Sequence, residues 1–113
     1  MESYRVMNTF DYLSENKIVN EYLITVNETD DGCEEYVLSR THEEIWDSSV
    51  RGQEILRIID TGDGYISPKR IFAKDVDYAI FAELFILMNF INKTSFTPIY
   101  KGTIEKIDKI IEI

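Results

Sequence analysis

The sequence predicts an α+β fold, in which a small antiparallel β-sheet from the N-terminal strands packs against two or three helices, one of them largely buried. Apolar residues alternate with polar ones within the first 41 residues, as in half-buried strands. A long apolar stretch follows at residues 78–91, and the last segment spaces its isoleucines three and four residues apart, as helices do. A chain of 113 residues fits a single domain, residues 1–113.

A β-hairpin is the clearest predicted element. Within residues 17–28, one parity carries Ile18, Tyr22, Ile24 and Val26, and residues 34–40 resume a pattern rich in strand-forming residues. Between them, Asp31-Gly32 supplies turn chemistry. An earlier strand from "SYRVM", residues 3–7, is expected to pair at the edge of this hairpin.

The first predicted helix begins after Thr41, which forms a capping box with Glu44. We expect this helix to run from about His42 to Gly52 and to continue to about Ile59. Residues 53–72 leave an alternative open, since "EILRII" and "YISPKRIF" flank "DTGDG" and could instead form a second hairpin.

Two more helices are predicted downstream. The apolar stretch is too short for a membrane span, which needs about 20 residues, and predicts a buried helix that ends near Asn92 with Asp75 or Asp77 as its cap. Its expected core residues are Phe81, Leu84, Phe85 and Met88. Thr103 is the expected cap of the last helix, whose apolar face would comprise Ile104, Ile107, Ile110 and Ile111.

The stretch "DTGDGYIS", residues 60–67, resembles part of a calcium-binding EF-hand loop and fails the ligand test. With Gly64 at the obligatory glycine position, Asp63 falls on a ligand position. However, Ile59 then occupies the first ligand position and Arg70 the last, where a bidentate carboxylate is needed. We therefore expect a glycine-rich turn in which the two Asp side chains bond to nearby amides.

No pattern indicates an enzyme, a cofactor or a metal site. His42 and Cys33 are the only histidine and cysteine. The acids next to Cys33 disfavour a catalytic Cys–His pair, because the nucleophile of such a pair is an anionic thiolate. A single cysteine and the lack of a signal peptide predict a cytoplasmic protein.

Charge divides the chain near Asp47. Residues 1–47 hold twelve acidic and three basic side chains, whereas residues 48–113 hold nine of each. The net charge of −9 therefore lies in the first part and argues against direct binding to nucleic acid. The acidic residues expected to bind a partner are Glu28, Asp30, Asp31, Glu34, Glu35, Glu43, Glu44 and Asp47.

The segment "LITVNETDDGCEEYVLSRTHEE", residues 23–44, resembles the small acidic anti-CRISPR proteins of type II-A systems, which inhibit Cas9. The resemblance implies that carboxylates stand in for phosphates on a basic surface that reads DNA. It would place this role on Asp30, Asp31, Glu34 and Glu35, with Glu43, Glu44 and Asp47 as a second group.

We therefore expect a non-enzymatic inhibitor of the phage anti-defence or immunity type. Its partner would be a basic protein such as a nuclease, and opposite fields would steer their association. The alternative is a structural or regulatory module that self-associates, for example as a homodimer, through its apolar helix.

Overall fold

In a computed structural model of the protein, the residues described are 1–11, 17–42, 44–45, 49–69, 78–92 and 102–112. They form one antiparallel sheet and one helix. In chain order the elements are β1 (Glu2–Asp11), β2 (Lys17–Glu28), β3 (Glu34–Thr41), β4 (Arg51–Asp60), β5 (Ile66–Lys69), α1 (Tyr78–Asn92) and β6 (Gly102–Ile107).

The sheet has six strands in the order β5-β4-β3-β2-β1-β6. The first five strands form a meander, in which each strand pairs with its neighbour along the chain. β6 crosses to the far edge and pairs antiparallel with β1, placing Ile107 opposite Ser3. The predicted hairpin and the predicted N-terminal strand are confirmed as β2, β3 and β1.

The predicted fold class is wrong in its helical part. Within the described ranges there is one helix, α1, and not two or three packed against a small sheet. From Arg51 onward, the segment predicted as a helix up to Ile59 is strand β4. Residues 53–69 lie in a second hairpin, which is the alternative that the sequence leaves open for this region. The predicted last helix is strand β6 as far as Ile107.

A β-bulge explains why β4 resembles a helix in sequence. Leu38 pairs with Leu56, but the next residue of β3, Ser39, pairs with Glu54, so that Ile55 is an extra residue on β4. Ile55, Leu56 and Ile58 are all buried in one cluster, and the three-residue spacing of Ile55 and Ile58 imitates a helical repeat.

Gly52 marks a second register shift on β4. A Cβ atom at this position would lie 2.6 Å from the carbonyl oxygen of Thr41, so only glycine allows the two backbones to approach this closely. The capping-box pattern at Thr41 and Glu44 does not begin a helix that reaches this position, because Thr41 pairs with Arg51 in the sheet.

The core lies between α1 and one face of the sheet, which we call the helix face. Leu84, Leu87 and Met88 of α1 are buried against side chains of β1 to β4. The predicted burial of Leu84 and Met88 is confirmed, whereas Phe85 is 42% exposed and its predicted place in the core is wrong. The side chain of Phe81 and the expected caps Asp75 and Asp77 lie outside what the structure describes.

Residues 108–112, which we call the strap, cross the opposite or second face of the sheet. The strap leaves β6 beside Ser3, and Ile111 forms a parallel bridge with Val50, just before β4. The strap lines a cavity together with Thr25 and Val37, whose side chains lie on the second face. The isoleucines predicted to share one helix face are thus divided between the two faces of the sheet, since Ile104 packs against the core and Ile110 lies in the strap.

No helix among the described residues is long and apolar enough to cross a membrane.

Candidate functional site

Two acidic turns leave the sheet at the same end. Glu34, the first residue of β3, pairs with Glu28 of β2 on one side and with Asp60 of β4 on the other. The β2–β3 turn, residues 29–33, and the β4–β5 turn, residues 61–65, therefore project side by side. Adjacent strands lie about 4.8 Å apart, so the three paired carboxylate residues form a short row across the sheet.

The two turns share one sequence pattern, Thr-x-Asp-Gly-x, and one hydrogen-bonding scheme. In the first turn, the amide of Thr29 donates to the carbonyl of Cys33 over 2.7 Å. In the second, the amide of Thr61 donates to the carbonyl of Tyr65 over 3.4 Å. In both turns the threonine hydroxyl also donates to the aspartate two residues later.

Each turn needs its glycine after the aspartate. Gly32 has φ of 85° and Gly64 has φ of 91°, a left-handed conformation that side-chain-bearing residues rarely adopt. The sequence thus builds two rigid turns of the same kind, each of which holds an aspartate in a defined position at the end of the sheet.

We call this region the acidic end and define it as Glu28, Asp30, Asp31, Glu34, Asp60 and Asp63. No lysine or arginine occurs in residues 27–35 or 59–67, which carry these acids. All but Asp60 are exposed, and Asp60 is half-buried. The acidic end therefore presents negative charge to solvent where strands β2, β3 and β4 begin or end.

Hydrogen bonds keep the turn aspartates ionised. The Thr29 hydroxyl, followed by backbone amides, lowers the pKa of Asp31. The Thr61 hydroxyl and the amide of Tyr65 lower the pKa of Asp63 in the same way. Both carboxylates are therefore fully negative at neutral pH.

Glu34 is held in place from the core. The hydroxyl of Tyr36 donates to Glu34 Oε2 over 2.6 Å, and the side-chain amide of Asn92 donates to the same hydroxyl over 2.7 Å. Burial, followed by the hydrogen bond to Glu34, raises the pKa of Tyr36, so the tyrosine stays neutral. The C-terminal end of α1 and the acidic end are thereby connected.

Glu35 does not belong to this exposed group. Its side chain lies on the second face and accepts a hydrogen bond from Arg57 Nη1 over 3.1 Å. Arg57 is also paired with Glu54, and this bond is the main cause of its raised pKa. Glu35 is half-buried and neutralised by this pair, and it contributes little to the field of the acidic end.

The second group of predicted acids is not brought to the acidic end. Glu44 is exposed in the β3–β4 connection, at the opposite end of the sheet. A strand of eight residues such as β3 spans roughly 25 Å, which separates Glu44 from the acidic end. Glu43 and Asp47 lie outside the described residues.

Asp60 and Asp63 are site residues that the sequence predicts as turn residues and not as part of the acidic surface. The repeated Thr-x-Asp-Gly pattern at residues 29–32 and 61–64 was the signal that could have joined them to the hairpin acids. In the structure, Asp60 accepts a bond from the amide of Gly62 at 2.9 Å and Asp63 accepts one from the amide of Tyr65 at 3.1 Å. The predicted glycine-rich turn is confirmed.

The geometry opposes a Cys–His pair. Cys33 lies in the β2–β3 turn, and His42 follows β3 at its other end. The Nδ1 atom of His42 accepts a bond from the amide of Glu44 over 3.2 Å. In the part of the chain that the structure describes, no three His, Cys, Asp or Glu side chains are grouped so that they could hold a metal ion.

Comparisons with known proteins yielded no match to a family model, a curated protein or a solved structure.

Proposed function

We propose that the acidic end binds a cationic surface of a protein partner and that the protein acts as a non-enzymatic inhibitor. The observation that supports this proposal is the row of Glu28, Glu34 and Asp60 flanked by two rigid acidic turns, with no basic side chain in either segment. Like charges placed directly opposite each other destabilise a strand pair. This arrangement lowers the stability of the sheet, and a positively charged surface of a binding partner would compensate for it.

The partner class that fits is a protein that itself binds nucleic acid, such as a nuclease. Proteins of this class carry lysine and arginine surfaces shaped for regularly spaced phosphates. Carboxylates at strand spacing on a rigid sheet can occupy such a surface as a nucleic-acid mimic. An immunity or phage anti-defence role in the cytoplasm is consistent with this proposal and with the resemblance to type II-A anti-CRISPR proteins.

A pair of charge-reversal variants tests the proposal. Glu28 and Asp30 are exposed, and neither contributes a side-chain hydrogen bond to its turn among the described contacts. The double variant Glu28→Lys/Asp30→Lys therefore changes the charge of the acidic end without removing the bonds that shape it. The matched control is Glu44→Lys/Glu105→Lys, which changes the net charge equally at exposed positions away from this end.

The partner can be recovered by capture from host cells on immobilised wild-type protein, followed by mass spectrometry. We expect a basic protein that the control variant also captures and that the acidic-end variant does not. Equal capture by both variants would contradict the proposal.

A second candidate function rests on the exposure of Phe85. α1 contains fourteen uncharged residues out of 15, and Phe85 remains 42% exposed on it. An exposed aromatic side chain on such a helix suits self-association of two copies. Sedimentation of wild-type protein and Phe85→Glu at low micromolar concentration distinguishes the two functions, since only a helix-mediated dimer would dissociate in the variant.

A further inference from the structure

Two cavities flank the strap, one of 720 Å³ and one of 580 Å³. Arg51 and Glu112 line both cavities, so the ion pair between them stands at the boundary. We call the two cavities and this boundary the strap groove. The groove lies on and beside the second face of the sheet, and one of its cavities reaches Asn27 and Glu35, the neighbours of Glu28 and Glu34.

The strap is tied to β4 by a short set of contacts. The amide of Arg51 donates to the carbonyl of Ile111 over 2.8 Å, and the amide of Ile111 donates to the carbonyl of Ser49 over 2.9 Å. Arg51 Nη1 lies 3.0 Å from Glu112 Oε1, and Glu112 is 68% exposed. This is the pattern of an extended segment added to a strand, with one carboxylate on one guanidinium.

The groove without the strap leaves a guanidinium without its carboxylate. Its basic lining residues are Arg40, Arg51 and Arg57, and its acidic ones are Glu35 and Glu44. Arg57 is already paired with two acids inside the sheet, Glu35 and Glu54. The ion pair of Arg51, by contrast, is with Glu112 of the strap. An extended segment that carries a carboxylate is therefore complementary to Arg51 once the strap is displaced.

An unsatisfied donor also lies beside the strap. Arg51 Nη2 reaches Thr25 Oγ1 at 3.4 Å, but the buried Nε of Arg51 has no partner in the described part of the chain. Buried polar groups are normally paired, so Arg51 retains hydrogen-bonding capacity that the strap does not use.

We propose that the strap groove is a second binding site, for an extended acidic peptide segment, and that the strap is its internal competitor. The incoming segment takes the backbone bonds of Ile111 and places a carboxylate on Arg51 in place of Glu112. Opening of the strap joins the two cavities into one groove. This site is independent of the proposed function of the acidic end, and it has its own test.

The test uses the full chain and a fluorescent peptide with the sequence of residues 107–112, Ile-Asp-Lys-Ile-Ile-Glu. Its binding is measured by polarisation to wild-type protein and to Glu112→Gln, which weakens the competitor. An exposed ion pair is worth up to about 1 kcal/mol, so Glu112→Gln should bind the peptide about threefold to fivefold more tightly. A peptide that ends in glutamine should bind this variant more weakly by a similar factor.

Glu105→Gln is the matched control, because Glu105 is also exposed and also pairs with an arginine, Arg5, at 3.4 Å. It should bind the peptide as the wild type does. Amide hydrogen exchange gives a second readout, in which Ile111 should exchange faster in Glu112→Gln than in Glu105→Gln. Three results would each overturn the proposal. They are no binding of the peptide to Glu112→Gln, equal binding of the peptide by Glu112→Gln and Glu105→Gln, and equal affinity of Glu112→Gln for the peptides that end in glutamate and in glutamine.

Discussion

Replacing Glu28 by lysine should stabilise the protein at low ionic strength. Glu28 lies directly opposite Glu34 in the β2–β3 ladder. Like charges in this position destabilise an antiparallel pair, and opposite charges stabilise it, each by roughly 0.2–1 kcal/mol. Converting one arrangement into the other should raise the free energy of unfolding by about 0.5–1.5 kcal/mol.

Urea unfolding at two salt concentrations measures this effect. The Debye length falls from about 10 Å at 0.1 M salt to about 3 Å at 1 M, so the gain should largely disappear at the higher concentration. Asp30→Lys is the control, because it makes the same charge change in the turn, where no strand residue is paired with it. The reasoning is refuted if both variants gain equally, or if the gain of Glu28→Lys does not depend on salt.

The remaining predictions concern the core, the turns and metal binding. Leu87→Ala should lower the free energy of unfolding by about 2–5 kcal/mol, because Leu87 is fully buried. Phe85→Ala should lower it clearly less, because Phe85 is partly exposed. Chemical denaturation that ranks the two variants the other way would contradict the packing of α1. Since the pKa values of Asp31 and Asp63 are lowered in the folded protein, their contribution to stability is present above the unfolded value near 3.8 and is lost as the pH falls through the folded values. Unfolding measured from pH 6 to pH 2 should therefore depend less on pH in Asp31→Asn/Asp63→Asn than in the wild type, and identical pH profiles would contradict this assignment. Calorimetry should detect no saturable calcium binding below about 1 mM, because Ile59 and Arg70 take the first and last ligand positions of the loop; micromolar binding that Asp63→Ala abolishes would contradict it.

The N-terminal half of the fold could be predicted because its signals are local. Alternation in residues 17–28 and the Asp31-Gly32 turn each determine the hairpin without help from distant residues. The apolar helix was predictable for the same reason, and its end at Asn92 is confirmed.

The second half depended on partners that are distant in sequence. The burial of Ile55 beside Leu56 results from a bulge against Ser39, which no local pattern reports. The isoleucines from Ile104 onward match a helical repeat, but β-branched residues also favour strands. In the structure this segment begins as strand β6, which pairs with the edge of β1.

The acidic site could be predicted in part. The exposed hairpin acids Asp30, Asp31 and Glu34 follow from the turn. By contrast, the neutralisation of Glu35 requires Arg57, and the addition of Asp60 requires the β3–β4 register. Charge in a sequence thus indicates a candidate surface, whereas only the pairing of strands tells which acids share it.

Titration of the recovered partner against three forms of the protein tests the central claim most directly. The forms are wild type, Glu28→Lys/Asp30→Lys and Glu44→Lys/Glu105→Lys, measured at about 0.1 M and 1 M salt. If the acidic end binds a cationic surface, the first variant should lose well over tenfold in affinity at low salt, chiefly through slower association, and the control should change by less than about threefold. Equal affinities for the wild type and the acidic-end variant, with an unchanged salt dependence, would contradict the account.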